Sequence, residues 1–351
     1  MRAHDLAGVG HTLAVGDGAG SCRAATIALG ANVTGRSVAS AFCNERFPGD
    51  ESRQHEWNDA TGDLRGNVVM SIIRVFPRKT SMTPTDGLAF VGDPPLGKQL
   101  TFLEKPNLPR PEADEVHVSV TFTWDKEEGN RLVDAWKEYY SVVKLGGPAI
   151  TGSNGDFTPG KYIRHGVTFT SRGCPNRCPW CLVPEYEGPL RLLDIAPGYI
   201  IQDNNFLATP KHHRLAVYKM LQEQPRAAIF SGGLESRRVT DEIAEELRSI
   251  RIHSVFLAAD TDAALKPLQS AVDRLAFLKL RSNKMRSYVM IGRNETIEQA
   301  EQRLEAVWEI GCMPFSQLYQ PSERYIKYPR KWRDLNRKWS RPAAIRASHK
   351  K

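Results

Sequence analysis

Three thiols stand within eight residues of one another in Gly173-Cys174-Pro175-Asn176-Arg177-Cys178-Pro179-Trp180-Cys181. Six cysteines scattered independently over this length would give such a C-x3-C-x2-C triplet on the order of 0.002 times, so the spacing needs a chemical reason. Soft thiolates this close together are metal ligands. A structural zinc site closes with four ligands, usually as two separated pairs, and no second cysteine pair follows. His212 or His213, about thirty residues downstream, would complete a Cys3His site, which keeps zinc open. A cubane iron–sulfur cluster takes four Cys. With three, one iron is left open to a non-protein ligand, which is a catalytic arrangement rather than an electron store. Pro175 and Pro179 stiffen the loop, and Gly173 lets the chain turn ahead of the first thiol. Cys22, Cys43 and Cys312 lie apart from this group, and six cysteines are too few for a disulfide scaffold in 351 residues.

The elements around the loop alternate. Apolar runs predict strands over about Gly166–Ser171, Tyr199–Asp203, Ala227–Ser231, Ser254–Ala258, Arg286–Ile291 and Pro314–Tyr319. Helical periodicity fills the gaps at Lys211–Gln222, Thr240–Ile250, Ala263–Leu280 and Thr296–Ile310, with Thr240 as an N-cap and Gly311 as a stop. Strand and helix in strict alternation predict an α/β fold with a parallel sheet, independently of the cysteines.

The cysteine spacing, the aromatic Trp180 just before the last Cys, and the strand-like run Val167–Gly173 together resemble the radical S-adenosylmethionine enzymes. The resemblance covers about Tyr162 to Arg346 and is nearest to the branch that often carries a cobalamin-binding domain ahead of the radical domain. It implies a partial (β/α)6 TIM-like barrel preceded by a small Rossmann-like α/β domain. It also implies a [4Fe–4S] cluster on Cys174, Cys178 and Cys181, S-adenosyl-L-methionine as cofactor, and an electron donor such as flavodoxin or ferredoxin. Chemistry in β/α barrels sits at the carboxyl ends of the strands. By the resemblance the cofactor-binding positions are Trp180, Asp203 and Asn204 after the second strand, Glu235 and Arg237 after the third, Asp260 after the fourth, and Ile291 at the fifth. The family's common Gly-Gly-Glu is replaced here by Asp203-Asn204-Asn205. Five of these positions also have a plainer reading: Asp203, Asn204 and Asp260 as turn or capping residues, and Glu235 with Arg237 as a surface pair.

The chain divides by pattern into an extension at 1–69, a small α/β unit at 70–160, the radical domain at 161–320 and a basic tail at 321–351. In the second unit Leu88–Gly92 and Val116–Phe122 read as strands and Gly129–Tyr140 as a helix. Val142–Pro148 resembles the strand and Gly-Gly-Pro turn of cobalamin-binding domains, but the Asp-x-His-x-x-Gly signature is absent, so no cobalamin is expected. In the extension, Gly16–Ser21 resembles the glycine loop of DNA methyltransferases. Arg36 stands where an acid is expected on the ribose, so no working methyltransferase site is expected there.

The formal net charge of +8 is concentrated at one end: Glu323 to Lys351 holds eleven Lys or Arg and two acids. Such a tail can contact nucleic acid or be a solvated helix. Trp332, Leu335 and Trp339 share one helical face, and packing is their commoner use. With 41% hydrophobic and 25% charged residues, the composition is that of an ordinary globular protein. No apolar run reaches a membrane span and the N-terminus lacks a secretory pattern, so no membrane partner and a cytoplasmic location are expected. The function expected is hydrogen abstraction from a substrate the sequence does not identify. The alternative is a structural zinc or iron–sulfur module that contacts nucleic acid through its basic tail.

Overall fold

A computed structural model describes residues 70–94, 110–151, 160–280, 283–321 and 326–349. The expectations for the extension, Cys22 and Cys43 lie outside these residues.

The first unit is built on a four-stranded parallel sheet of β1 (Ile72–Phe76), β2 (Ala89–Val91), β3 (Glu115–Ser119) and β4 (Val143–Gly146), in the order β2-β1-β3-β4. Helix α1 (Lys126–Lys137) joins β3 to β4, and the short α2 (Pro148–Thr151) follows. Side chains alternate across a strand. Ile73 and Val75 of β1 and Val116 and Val118 of β3 therefore share a core with Leu132 and Trp136 of α1. The remaining positions of β3, Glu115, His117 and Ser119, are polar. Lys144 and His117 both reach Glu115, at 2.5 and 2.6 Å, and His117 meets the Tyr162 hydroxyl.

The second sheet has six parallel strands: β5 (Val167–Thr168), β8 (Ile200–Ile201), β9 (Ala228–Phe230), β10 (Ile252–Ala258), β11 (Met285–Ile291) and β12 (Met313–Leu318). The strands lie in sequence order across the sheet. The loop after β5 contains a two-residue antiparallel pair, β6 (Ser171–Arg172) with β7 (Arg191–Leu192), flanking the short α3 (Val183–Tyr186). The crossovers are α4 (Lys211–Gln222), α5 (Asp241–Arg248), α6 (Leu265–Arg274) and α7 (Ile297–Glu309).

Right-handed crossovers between strands in sequence order return every helix to the same face. That face is one continuous core. Ile201, Phe230, Val255, Leu257, Val289 and Ile291 meet Val217, Ile243, Leu247, Leu268, Leu304 and Val307 there. The other face is apolar at its β5 end, where Val167, Ile200 and Ile229 pack with Met82 and Ile163. Further along it carries Phe256, Tyr288 and Phe315 in ring contact, with Arg286 against the two phenylalanines. Thr240 caps α5, and Thr296 with Gln299 forms a capping box on α7.

After β12 come α8 (Arg330–Trp339) and α9 (Pro342–Ser348). Leu335, Trp339 and Ile345 are buried in the main core, with Trp332 packed against it. The tryptophan face thus docks the tail on the domain, and Trp339, fully buried, is not available to stack on a base. Arg330, Arg333 and Arg337 remain exposed. Among the described residues no helix is long and apolar enough to cross a membrane.

Candidate metal centre

The cysteine loop leaves the carboxyl end of β5 and is pinned at its base. Gly173 has φ of +81°, and a Cβ there would lie 2.2 Å from the Pro189 carbonyl oxygen. Only glycine lets the outgoing strand pass this close to the returning one. The β6–β7 ladder and the ion pair between Arg172 and Glu187 close the hairpin around the loop. Asn204 Oδ1 accepts from the Gly173 amide at 3.0 Å.

Asp203 lies behind this turn and is 1% exposed. It accepts from the Thr170 amide at 2.7 Å, from Thr170 Oγ1 at 2.6 Å and from Ser171 Oγ at 2.7 Å. Burial pushes its carboxyl up, and these donors pull against that. Its oxygens are engaged in fixing the end of β5 to the end of β8, so the structure gives Asp203 a scaffolding task rather than an open ligand-binding face.

Asn205, the third residue of the same run, faces the loop instead. Its Nδ2 donates to Cys174 Sγ at 3.4 Å and to Glu235 Oε2 at 2.8 Å. Its Oδ1 is buried without a partner. Glu235, after β9, is also held by Arg237 at 2.9 Å and Arg238 at 2.7 Å. Burial raises its carboxyl, but the donors Asn205, Asn176 and Arg238 outweigh this and hold it below the usual range. Asp260, after β10, accepts from the Met290 amide at 3.0 Å. The Trp180 indole also donates to Asp260, against a burial effect that pushes its carboxyl up. Arg293, in the turn after β11, lies 5.5 Å from the Trp180 ring centroid and 5.8 Å from that of Tyr319.

Cys174, Asn205, Glu235, Arg237, Asp260 and Trp180 thus belong to one rim built from successive strand ends. Ile291 does not join it through its side chain, which is fully buried in the helix-facing core. Its carbonyl oxygen accepts from the Tyr319 amide at 2.9 Å.

The three thiols are half-buried and unpaired by disulfides. Burial pushes the Cys178 and Cys181 thiols up, and the neighbouring thiols and Asp260 add to this. Arg237 pulls the Cys178 thiol the other way. No three His, Cys, Asp or Glu side chains among the described residues converge to hold a single ion. His212 is exposed on α4, and the buried His213 ring bonds the Thr170 carbonyl. Neither completes a four-ligand set with the thiols. Cys312 is fully buried in the main core, its thiol pushed up to about 12 by burial.

A buried acceptor left without a donor, as Asn205 Oδ1 is among the described protein groups, costs about 1–3 kcal/mol.

No protein-family model matches the chain, and no curated protein matches it.

Proposed function

We propose that the chain is a radical S-adenosylmethionine enzyme, its six-stranded sheet forming a partial TIM-like barrel whose carboxyl-end rim is the active site. The observation that carries this reading is the C-x3-C-x2-C loop at the end of β5, in hydrogen-bond contact with the next strand end through Asn205. Cys174, Cys178 and Cys181 are the residues to hold a [4Fe–4S] cluster. When bound, such a cluster would supply one electron to the sulfonium of S-adenosylmethionine, the chemistry that releases methionine and makes hydrogen abstraction from a substrate possible.

The chain's own residues bind and orient. Metal loading removes the thiol protons, which burial otherwise retains on Cys178 and Cys181. Arg237, 65% exposed, offers a donor for the cofactor's carboxylate, and Glu235, held by Arg237 and Arg238, orients Asn205. Trp180, tethered to Asp260 and flanked by Arg293, forms the far wall. An external one-electron donor of the flavodoxin or ferredoxin kind completes the cycle.

Anaerobic reconstitution with iron and sulfide, followed by an iron count and a 5′-deoxyadenosine assay, tests the proposal. The expected result is about four irons per chain and 5′-deoxyadenosine formed only with a reductant. Replacing any of Cys174, Cys178 or Cys181 by Ala abolishes both, and replacing Cys312 leaves the iron in place. One zinc per chain and no 5′-deoxyadenosine would favour the structural module instead.

A further inference from the structure

Asn205 joins a cysteine of the loop to an acid of the neighbouring strand end. The residue is 4% exposed, so its bonds are formed out of water. The amide orientation follows from charge. Turned by half a rotation, its carbonyl oxygen would face a sulfur and a carboxylate, both acceptors. Glu235 is not free to swing away, because Arg237 holds Oε1 at 2.9 Å and Arg238 holds Oε2 at 2.7 Å. The two arginines fix the carboxylate, the carboxylate fixes one N–H of Asn205, and the other N–H is thereby aimed at Cys174 Sγ, 3.4 Å from Nδ2.

We propose that Asn205 is a positioning residue that acts through Cys174, donating its amide N–H to the ligating sulfur and so raising the reduction potential of the cluster. The inference rests on the reading of Cys174 as an iron–sulfur ligand. Hydrogen bonds to cluster sulfurs are among the determinants of cluster potential, because a donor stabilises the electron-rich reduced state. The effect is local to one of the three thiolates. Asp203, two residues earlier in the same polar run, has no such access because its oxygens serve Thr170 and Ser171.

The test is a redox titration of the reconstituted protein, followed by electron paramagnetic resonance, in the unmodified chain, Asn205→Ala and Asn205→Asp. Aspartate keeps the shape and replaces the donor by an acceptor. Poised at the unmodified protein's midpoint, Asn205→Ala is expected to show the oxidised-to-reduced ratio shifted about tenfold toward oxidised, which is about 59 mV for one electron. Asn205→Asp is expected to shift further in the same direction. Iron counts and melting curves taken in parallel separate tuning from folding. Variants that hold four irons with an unchanged ratio overturn this inference and leave the cluster reading intact. Loss of iron from both variants while they remain folded overturns it as well, since Asn205 would then hold the ligand in place rather than set its charge. An unmodified chain that assembles no four-iron cluster overturns the underlying reading and the inference with it.

Discussion

The turn before the first thiol gives a sharply separable prediction through two glycines of the same hairpin. Gly173 and Gly188 both have positive φ, +81° and +71°. A Cβ at Gly188 meets nothing within 4 Å. A Cβ at Gly173 meets the Pro189 carbonyl oxygen at 2.2 Å, its carbon at 2.6 Å and the Gly188 oxygen at 2.7 Å. These are backbone atoms of the returning strand, so the clash is relieved only by opening the base of the loop. The left-handed conformation costs a non-glycine residue about 1–2 kcal/mol, and both alanine variants incur it. Overpacking adds about 1–3 kcal/mol in Gly173→Ala alone. Each kcal/mol lowers the melting midpoint of a domain of 150–250 residues by about 2–4 °C. Gly188→Ala is expected to melt slightly early and load iron normally. Gly173→Ala is expected to melt several degrees lower still and to lose most of its iron, because the displaced segment leads directly into Cys174. Melting followed by circular dichroism, with iron counted on the same samples, checks this. A Gly173→Ala protein indistinguishable from Gly188→Ala would refute the claim that this close approach positions the thiol.

Three further outcomes follow from the rim and the tail. Asp203→Ala leaves a buried amide and two hydroxyls without their shared acceptor and should cost about 3 kcal/mol of stability in denaturant titration, with Asp203→Asn intermediate. Arg237→Ala should leave the melting curve nearly unchanged, since its side chain is 65% exposed and Arg238 still holds Glu235. It should weaken S-adenosylmethionine binding roughly ten- to hundredfold in a titration of the loaded protein. His349 is raised by its hydrogen bond to Glu305, so folding favours the charged imidazole. That stabilisation is complete below the ordinary value of about 6.5 and is lost as pH rises through the raised value. His349→Gln should therefore lower the melting midpoint more at about pH 6 than at about pH 8.5.

The alternation of β and α was legible wherever one face of an element is buried. Lys211–Gln222 was readable in full because Val217, Met220 and Leu221 recur at helical spacing and are buried against the sheet. The expected strand at Arg286–Ile291 differs from β11 by one residue. In the first unit β1 was not anticipated as a strand, although it lies between β2 and β3: five residues ending before Pro77 give little pattern to read. The β6–β7 pair was missed for a related reason. Two-residue strands containing Arg172 and Arg191 show no alternation, and an ion pair to Glu187 across the hairpin helps hold them.

The same limit governs the rim. Asp203-Asn204-Asn205 presents three polar side chains in a row, and their chemistry alone does not rank them. The fold directs the carboxylate inward to Thr170 and Ser171, Asn204 to the Gly173 amide, and Asn205 to Cys174. Sequence reasoning favoured the charged residue, whereas the contact with the thiol belongs to Asn205. Ile291 was read as the start of a turn that resembles the family's adenine-side turn, and the alternation of β11 turns its side chain toward the core.

The central claim is that three cysteines leave one iron open to S-adenosylmethionine. The electron paramagnetic resonance spectrum of the reduced, reconstituted chain, recorded before and after addition of S-adenosylmethionine, tests it most directly. The account predicts a cluster signal whose g-values move when the cofactor is added, and no signal in a Cys174→Ala chain. A cluster signal that S-adenosylmethionine leaves unchanged, or one that survives loss of Cys174, would contradict it.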